Sequence, residues 1–335
     1  MSSHNSALPR FRSSSRLLRS LQHGDRPWQG LIILVSVLVI VLMLAVGGML
    51  WVRSAPTRSA LGWSFLTPTL DANWDPVNSN FQAWPFIYGT LLTSLVAIVV
   101  AVPVAGGIAI FLAELCPAWL RTPLTWMVEL LAAIPSVVYG LWGIFIFLPQ
   151  VVTPFGNFLG DTLGQLPILN LLFAGPIPAS GASRLAAALI LTIMIIPTIA
   201  AVTRDVFLAI PNSQREAAKA LGATEWETIW QVLVPYGLSG ILGAVILGLG
   251  RALGETMAVT MVIGNSIEGS ASLLRPGYTM ASVIANEFAE AVSSLHTSAL
   301  VEIGVILFIM TLLLNVLARF LVWQVARQAP QEGRA

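Results

Sequence analysis

An all-α integral membrane protein with six transmembrane helices is the fold class that this sequence predicts, on three observations. Hydrophobic residues make up 56% of the 335 and charged residues only 10%, with a mean hydropathy of +0.82, against roughly 25% charge in ordinary soluble domains. Six apolar runs are each long enough to cross the hydrocarbon layer as a helix, which takes about 20 residues. The charges collect between those runs, most densely in a polar interlude from Ser213 to Pro235 that holds the only lysine, Lys219.

Residues 1–30 are rich in serine and arginine, lack apolar periodicity and read as a mobile tail near anionic headgroups. The first span, Leu31 to Leu50, is longer than the roughly 7 to 15 residues of a signal h-region, so it reads as a retained anchor helix. In the loop 51–86 the aromatics Trp63, Phe65, Trp74 and Trp84 suit a membrane surface. The second span, Ile87 to Leu112, contains Pro103, Gly106 and Gly107, which predict a kink or close helix packing. After Pro117, Arg121 and Pro123 comes the third span, Leu124 to Leu148, interrupted only by Glu129.

A long loop rich in proline and glycine then runs from Pro149 to Arg184, and its apolar piece Leu166 to Phe173 is too short to cross a bilayer. The fourth span is Leu185 to Val202, closed by Arg204 and Asp205. The fifth runs from Tyr236 to Ile263 and the sixth from Ala299 to Val322, with 323–335 as a tail. Between them Met280 to Ser294 reads as an outer amphipathic helix whose Glu287 and Glu290 form a solvated face. Thr90, Thr93, Ser94, Glu302 and Asn315 read as groups for interhelical hydrogen bonds.

Six spans put both termini on one side, and the basic residues say which. With the N-terminus in the cytoplasm, the inner segments hold Arg10, Arg12, Arg16, Arg19, Arg26, Arg121, Arg204, Arg215, Lys219, Arg319, Arg327 and Arg334. The outer segments hold only Arg53, Arg58, Arg184 and Arg275. The interlude from Ser213 to Pro235 is therefore expected in the cytoplasm. A net charge of +1 gives no basic field for nucleic acid, and the single Cys116 allows no internal disulfide. A P-loop requires a lysine after glycine, whereas Lys219 follows Ala218, so this chain is not expected to hydrolyse ATP. H-E-x-x-H is missing, and His4, His23 and His296 lie in the tail or an outer loop, so neither a metal site nor a catalytic triad is expected. No repeat is evident, which disfavours carriers built from duplicated halves.

Ser213 with Glu216 fits a capping box that starts a helix, Gly222 fits its stop, and Thr224 with Glu227 repeats the box. Two short helices with a glycine bend are predicted, the second running through Trp226, Ile229 and Trp230 toward Pro235. The order Glu216, Ala217, Ala218, then Gly222, then Val232 to Pro235 resembles the EAA loop of ABC-importer permeases, with valines where that family has isoleucine and leucine. In that family the loop docks into a groove on the ATPase subunit. A small-faced helix at Ala217, Ala218 and Ala220 suits close approach, and Gly222 permits the bend.

The second constellation is GRALGETMAVTMVIGN, in which Arg251 and Glu255 are four apart and are expected on one helical face. Counting 16 residues from Pro235 at about 1.5 Å each puts Arg251 about 24 Å along the fifth span, in its outer half. A central arginine costs about 2.5 to 3.5 kcal/mol to insert, so it is expected to face a polar cavity or a partner charge. Ala244, Gly248 and Ala258 share the face of the two charges and leave room there for a substrate or a packed helix. The alternative use of the pair is a helix-internal salt bridge that makes Arg251 cheap to bury.

This segment is similar to the signature of the phosphate-specific Pst permeases, closer to the PstC type than to the PstA type, over about Ile87 to Val322. The resemblance implies that the last five spans form the type I ABC importer (MetI-like) permease core, residues 87–322, behind an added anchor. It implies that Arg251 and Glu255 line a phosphate path, with the arginine fork binding phosphate oxygens in pairs. It also implies two ABC ATPase subunits carrying ATP and Mg, a PstA-type second permease and an extracytoplasmic phosphate-binding protein, with no cofactor on this chain. A permease for sulfate or molybdate, or an ion-driven carrier, is the competing reading.

Overall fold

The computed structural model describes residues 25–69, 74–167, 169–267 and 269–328. The tail from Met1 to residue 24, including Arg10, Arg12, Arg16 and Arg19, and the last residues from 329, lie outside them. Two compact units divide the chain near Val52. The first contains α1 (Asp25–Arg53), a single apolar helix that holds the predicted anchor.

The second unit contains the other helices. These are α2 (Ala55–Leu61), α3 (Trp84–Ile110), α4 (Ala118–Ala133), α5 (Ser136–Trp142), α6 (Thr153–Thr162) and α7 (Asn170–Phe173). They are followed by α8 (Arg184–Ala209), α9 (Asn212–Ala220), α10 (Glu225–Thr228), α11 (Val234–Gly254), α12 (Met257–Val262), α13 (Met280–Glu287) and α14 (Ser294–Gln328). Among the described residues six helical stretches are long and apolar enough to cross a membrane: Trp28–Arg53, Trp84–Leu115, Ser136–Gln165, Arg184–Ala209, Glu225–Gly254 and Ser294–Gln324.

The core sits where α3 lies along α8. Ala97, Ala101, Ala105 and Ala109 recur every fourth position of α3, so they form one stripe, and all are fully buried. Small side chains let the backbones approach, and van der Waals contact then holds them where lipid gives no hydrophobic drive. The facing side of α8 supplies Ile190, Leu191, Met194, Ile195 and Ile199, each at most 1% exposed.

The third span departs from the predicted Leu124 to Leu148. Pro135 pushes Ile134 out of the helical region, to ψ 129°, which separates α4 from α5 and leaves Glu129 on the earlier helix. The predicted stop at Pro149 does not act, because Gly143–Val152 is wound as a π-helix. Its wider turn tolerates a missing N–H, and the span runs on from Ser136 to Gln165.

Sequence reasoning also placed Phe65 and Trp74 at a membrane surface, and the structure buries both. Trp74 makes edge-to-face contacts with Phe81 and Phe86 at 4.8 and 4.9 Å, and its Nε1 donates to Glu287 at 2.7 Å. His296 stacks on Phe81 and meets Glu287 at 3.1 Å. Glu287 is therefore a half-buried acceptor tied to two partners, and α13 opens on four buried residues, Met280 to Val283. Close to this cluster the Asn78 amide donates to Asp75 at 2.6 Å, which holds that exposed carboxyl below its usual range.

Candidate functional site

Two features single themselves out: a polar elbow at α9 and α10, and Arg251 in α11. The elbow starts at Pro211. Ile210, which precedes it, is extended, so α8 ends there, and α9 begins at Asn212 with no side-chain cap. The predicted capping box of Ser213 and Glu216 is absent, because Pro211 takes the cap position two residues earlier. Arg215 does the joining instead. Its guanidinium donates to the Phe207 and Ile210 carbonyls, both at 2.7 Å, and so satisfies the open end of α8. It also meets both oxygens of Glu114, at 2.7 and 3.1 Å, in the π-helical turn Phe111–Leu115 that ends α3.

Gly222 has φ +89°, a left-handed bend that a side chain resists. Thr224 and Glu227 form the predicted capping box, and Lys219 pairs with Glu225 across the bend at 2.6 Å. Of the elbow residues Ala218 and Thr228 are buried, whereas Glu216, Ala217 and Gly222 face outward. Leu221 at the tip is 90% exposed, and Trp226 and Trp230 stand edge to face 5.5 Å apart beside it. Such a small, partly apolar convex surface is suited to insertion into a groove.

Pro235 does not end the second elbow helix. A π-helical turn at Ile229–Leu233 absorbs its missing N–H, and Glu225–Gly254 is one continuous helical stretch of 30 residues. The second arm of the elbow, α10, and Arg251 therefore belong to one rod about 45 Å long.

Arg251 donates to the Thr198 hydroxyl at 3.2 Å. Thr198 follows Arg184 by fourteen residues in the 26-residue helix α8, so the guanidinium reaches about 21 Å along a helix of about 39 Å. Arg251 therefore meets α8 near the middle of its length. The Tyr139 hydroxyl lies within electrostatic reach of the same guanidinium.

Arg251 and Glu255 do not share a helical face. α11 ends at Gly254, Glu255 is extended with ψ 124°, and its Oε1 accepts from Ala258 N–H at 3.3 Å at the start of α12. Among the described residues Arg251 has no ion pair, so the helix-internal salt bridge is absent. The predicted room beside Ala244 and Gly248 is also filled. A Cβ on Gly248 would stand 2.7 Å from Ile199, so that stripe packs against α8. The open side of α11 is the neighbouring stripe, Gly243, Leu247 and Gly250, where a groove of 810 Å³ runs between α11 and α14 past Arg251.

The remaining polar residues are mostly structural. Thr90 accepts from Met280 N–H at 2.9 Å, and Glu302 pairs with Arg58 at 2.8 Å, both between elements as predicted. Asn315 instead donates to Thr311 in its own helix and faces the groove. Sequence reasoning missed three participants. Glu114 carried no signal beyond being the first acid after a long uncharged run, Arg215 was seen only as an inner charge, and Thr198 was lost inside an apolar run. Among the described residues no three His, Cys, Asp or Glu side chains gather as a metal site.

Comparison with known proteins agrees with this architecture. Residues 105–328 match the family model of the binding-protein-dependent transport system inner membrane component. The chain is 45% identical over 326 residues to the phosphate transport system permease protein PstC of Mesorhizobium japonicum, covering 97% of this chain and 98% of that one. It is 45% identical over 294 residues to its counterpart in Xylella fastidiosa, covering 88% and 89% of the two. A crystal structure of a bacterial ABC transporter involved in alginate import superimposes with a TM-score of 0.60 at 15% identity, over 93% of this chain and all of that one, and shows a shared fold. By the family model and by its identity to these relatives, the chain belongs to the binding-protein-dependent transport system inner membrane components, in their PstC branch.

Proposed function

We propose that the chain is the membrane-spanning subunit of an ATP-driven importer that carries inorganic phosphate inward across the cytoplasmic membrane. The cargo is supported by the similarity to PstC permeases. The observation that carries the mechanism is an arginine with no ion-pair partner among the described residues, set against the middle of α8 and on the same continuous helix as α10 of the elbow. An unpaired intramembrane cation is costly unless an anion visits it.

In this reading Glu216, Ala217, Ala218 and Gly222 form the coupling surface, and Pro235 lies where it joins the span. Two partner ATPase subunits bind ATP with Mg and grip the elbow. The rod from Glu225 to Gly254 transmits that motion to Arg251, beside a second, PstA-type permease, while an extracytoplasmic binding protein delivers the anion. The excess of basic residues on the elbow's side favours a cytoplasmic elbow and cytoplasmic termini.

Arg251 offers phosphate a planar fork of donors. Glu255 uses Oε1 as a cap, and Oε2 has no protein hydrogen bond among the described residues. That oxygen suits the O–H of hydrogen phosphate and repels sulfate, which has no proton to donate. Purifying the chain from its native membrane tests the assembly. A P-loop ATPase and a second permease should accompany it. Phosphate uptake by the purified chain alone in liposomes under an ion gradient would overturn the reading.

A further inference from the structure

The groove beside Arg251 extends further than one arginine requires. Along α11 it is walled by Gly243 and Gly250, where an added Cβ would meet nothing within 4 Å. Along α14 it is walled by Asn315, Arg319 and Trp323. Its only charged lining groups are Arg251 and Arg319, with no carboxylate among them. Arg319 is exposed and has neither hydrogen bond nor ion pair among the described residues. Asn315 lies one turn before it on the same face, and one of its two amide protons is taken by Thr311.

α11 and α14 are antiparallel neighbours: α11 leaves the elbow, whereas α14 leaves the Trp74–Glu287–His296 cluster at the other end. Arg319 therefore lies beyond Asn315 in the direction of the elbow. Two cations and an amide spaced along one acid-free groove make a track for an anion, since a doubly charged oxyanion leaving Arg251 meets a second donor set before it meets any repelling group.

We propose that Arg319 and Asn315 form a second phosphate-binding station, between Arg251 and the elbow end, that takes the anion as it leaves Arg251. The proposal rests on the reading of Arg251 as part of the path. Weak sequential sites speed passage, because a single strong site holds its ion. A lipid phosphate headgroup has the same chemistry and is the competing occupant, so the test must separate the two.

Cys116 is buried and is the only cysteine, which makes thiol labelling a clean probe. Gly243→Cys in a Cys116→Ser chain, within the assembled importer in phosphatidylcholine vesicles, places a thiol in the groove without removing any binding group. Its rate of modification by a water-soluble thiol reagent is measured as inorganic phosphate is raised. Phosphate should slow labelling. Arg319→Gln should raise the concentration needed for protection about tenfold, the worth of a charged hydrogen bond, and Arg319→Lys should raise it less. Unchanged protection in Arg319→Gln overturns the proposal. So does protection that follows added phosphatidylglycerol and ignores inorganic phosphate, which would give Arg319 to lipid. Normal uptake by Arg251→Gln would instead fault the path reading, and is scored separately from protection at Gly243→Cys.

Discussion

Arg215 and Glu114 lock the elbow to the body of the protein through two contacts, Nη2 to Oε1 at 2.7 Å and Nε to Oε2 at 3.1 Å. The side chains are only 15% and 12% exposed, and their residues lie 101 positions apart. A push on α9 is thus delivered to the ends of α3 and α8 together, because the same guanidinium also holds the Phe207 and Ile210 carbonyls.

Glu114→Ala strands a largely buried arginine, and such breakage costs about 3 kcal/mol or more. The thermal midpoint of the purified chain should fall. Phosphate uptake should fall with it, while Arg215→Lys, which loses the two-pronged geometry, should show a milder form of both defects.

Gly222→Val should cost about 1–2 kcal/mol, because φ +89° is a left-handed conformation and no neighbour is available to clash or compensate. Gly222→Asn should cost less, since asparagine tolerates that region. Co-purification with the proposed ATPase reads the effect, and wild-type retention by Gly222→Val would show that the bend is dispensable.

Gly248 and Gly243 make a paired test of which side of α11 is packed. Gly248→Ala drives a methyl into Ile199 and should destabilise by about 1–3 kcal/mol. Gly243→Ala meets open space and should be neutral or stabilise by up to about 1 kcal/mol through helix propensity. Equal thermal midpoints for the two variants would contradict the packing.

Trp74→Phe retains an aromatic plug but removes the Nε1 donor to Glu287. Leaving that acceptor a partner short should cost about 1–3 kcal/mol. Trp74→Ala should cost about 3–5 kcal/mol through the cavity beside Phe81 and Phe86. The order of thermal midpoints, wild type above Phe above Ala, is the measured outcome.

Much of this was legible in the sequence because lipid imposes one rule: long apolar runs become helices, since every backbone polar group must be satisfied within the run. The six spans, the left-handed Gly222 and the Thr224–Glu227 box followed directly. The errors fall at prolines, where two outcomes compete. Pro135 broke a helix, whereas Pro149 and Pro235 were absorbed by π-helical turns, and the residue types alone do not separate these cases.

The Arg251–Glu255 spacing misled for a related reason. Helical periodicity holds only while the helix lasts, and α11 ends between the two charges, at Gly254. Burial was the other blind spot. Trp74 and Glu287 looked like surface residues because they are each other's partner across 213 positions of the chain.

Phosphate uptake by the assembled importer carrying Arg251→Gln is the most direct test. The substitution leaves a shorter but polar side chain and breaks no ion pair, so assembly and thermal midpoint should stay close to wild type. Loss of one charge-assisted contact in the path should lower uptake by at least about tenfold, with Arg251→Lys recovering part of it. Wild-type uptake by Arg251→Gln in a fully assembled complex would contradict the role given to this arginine.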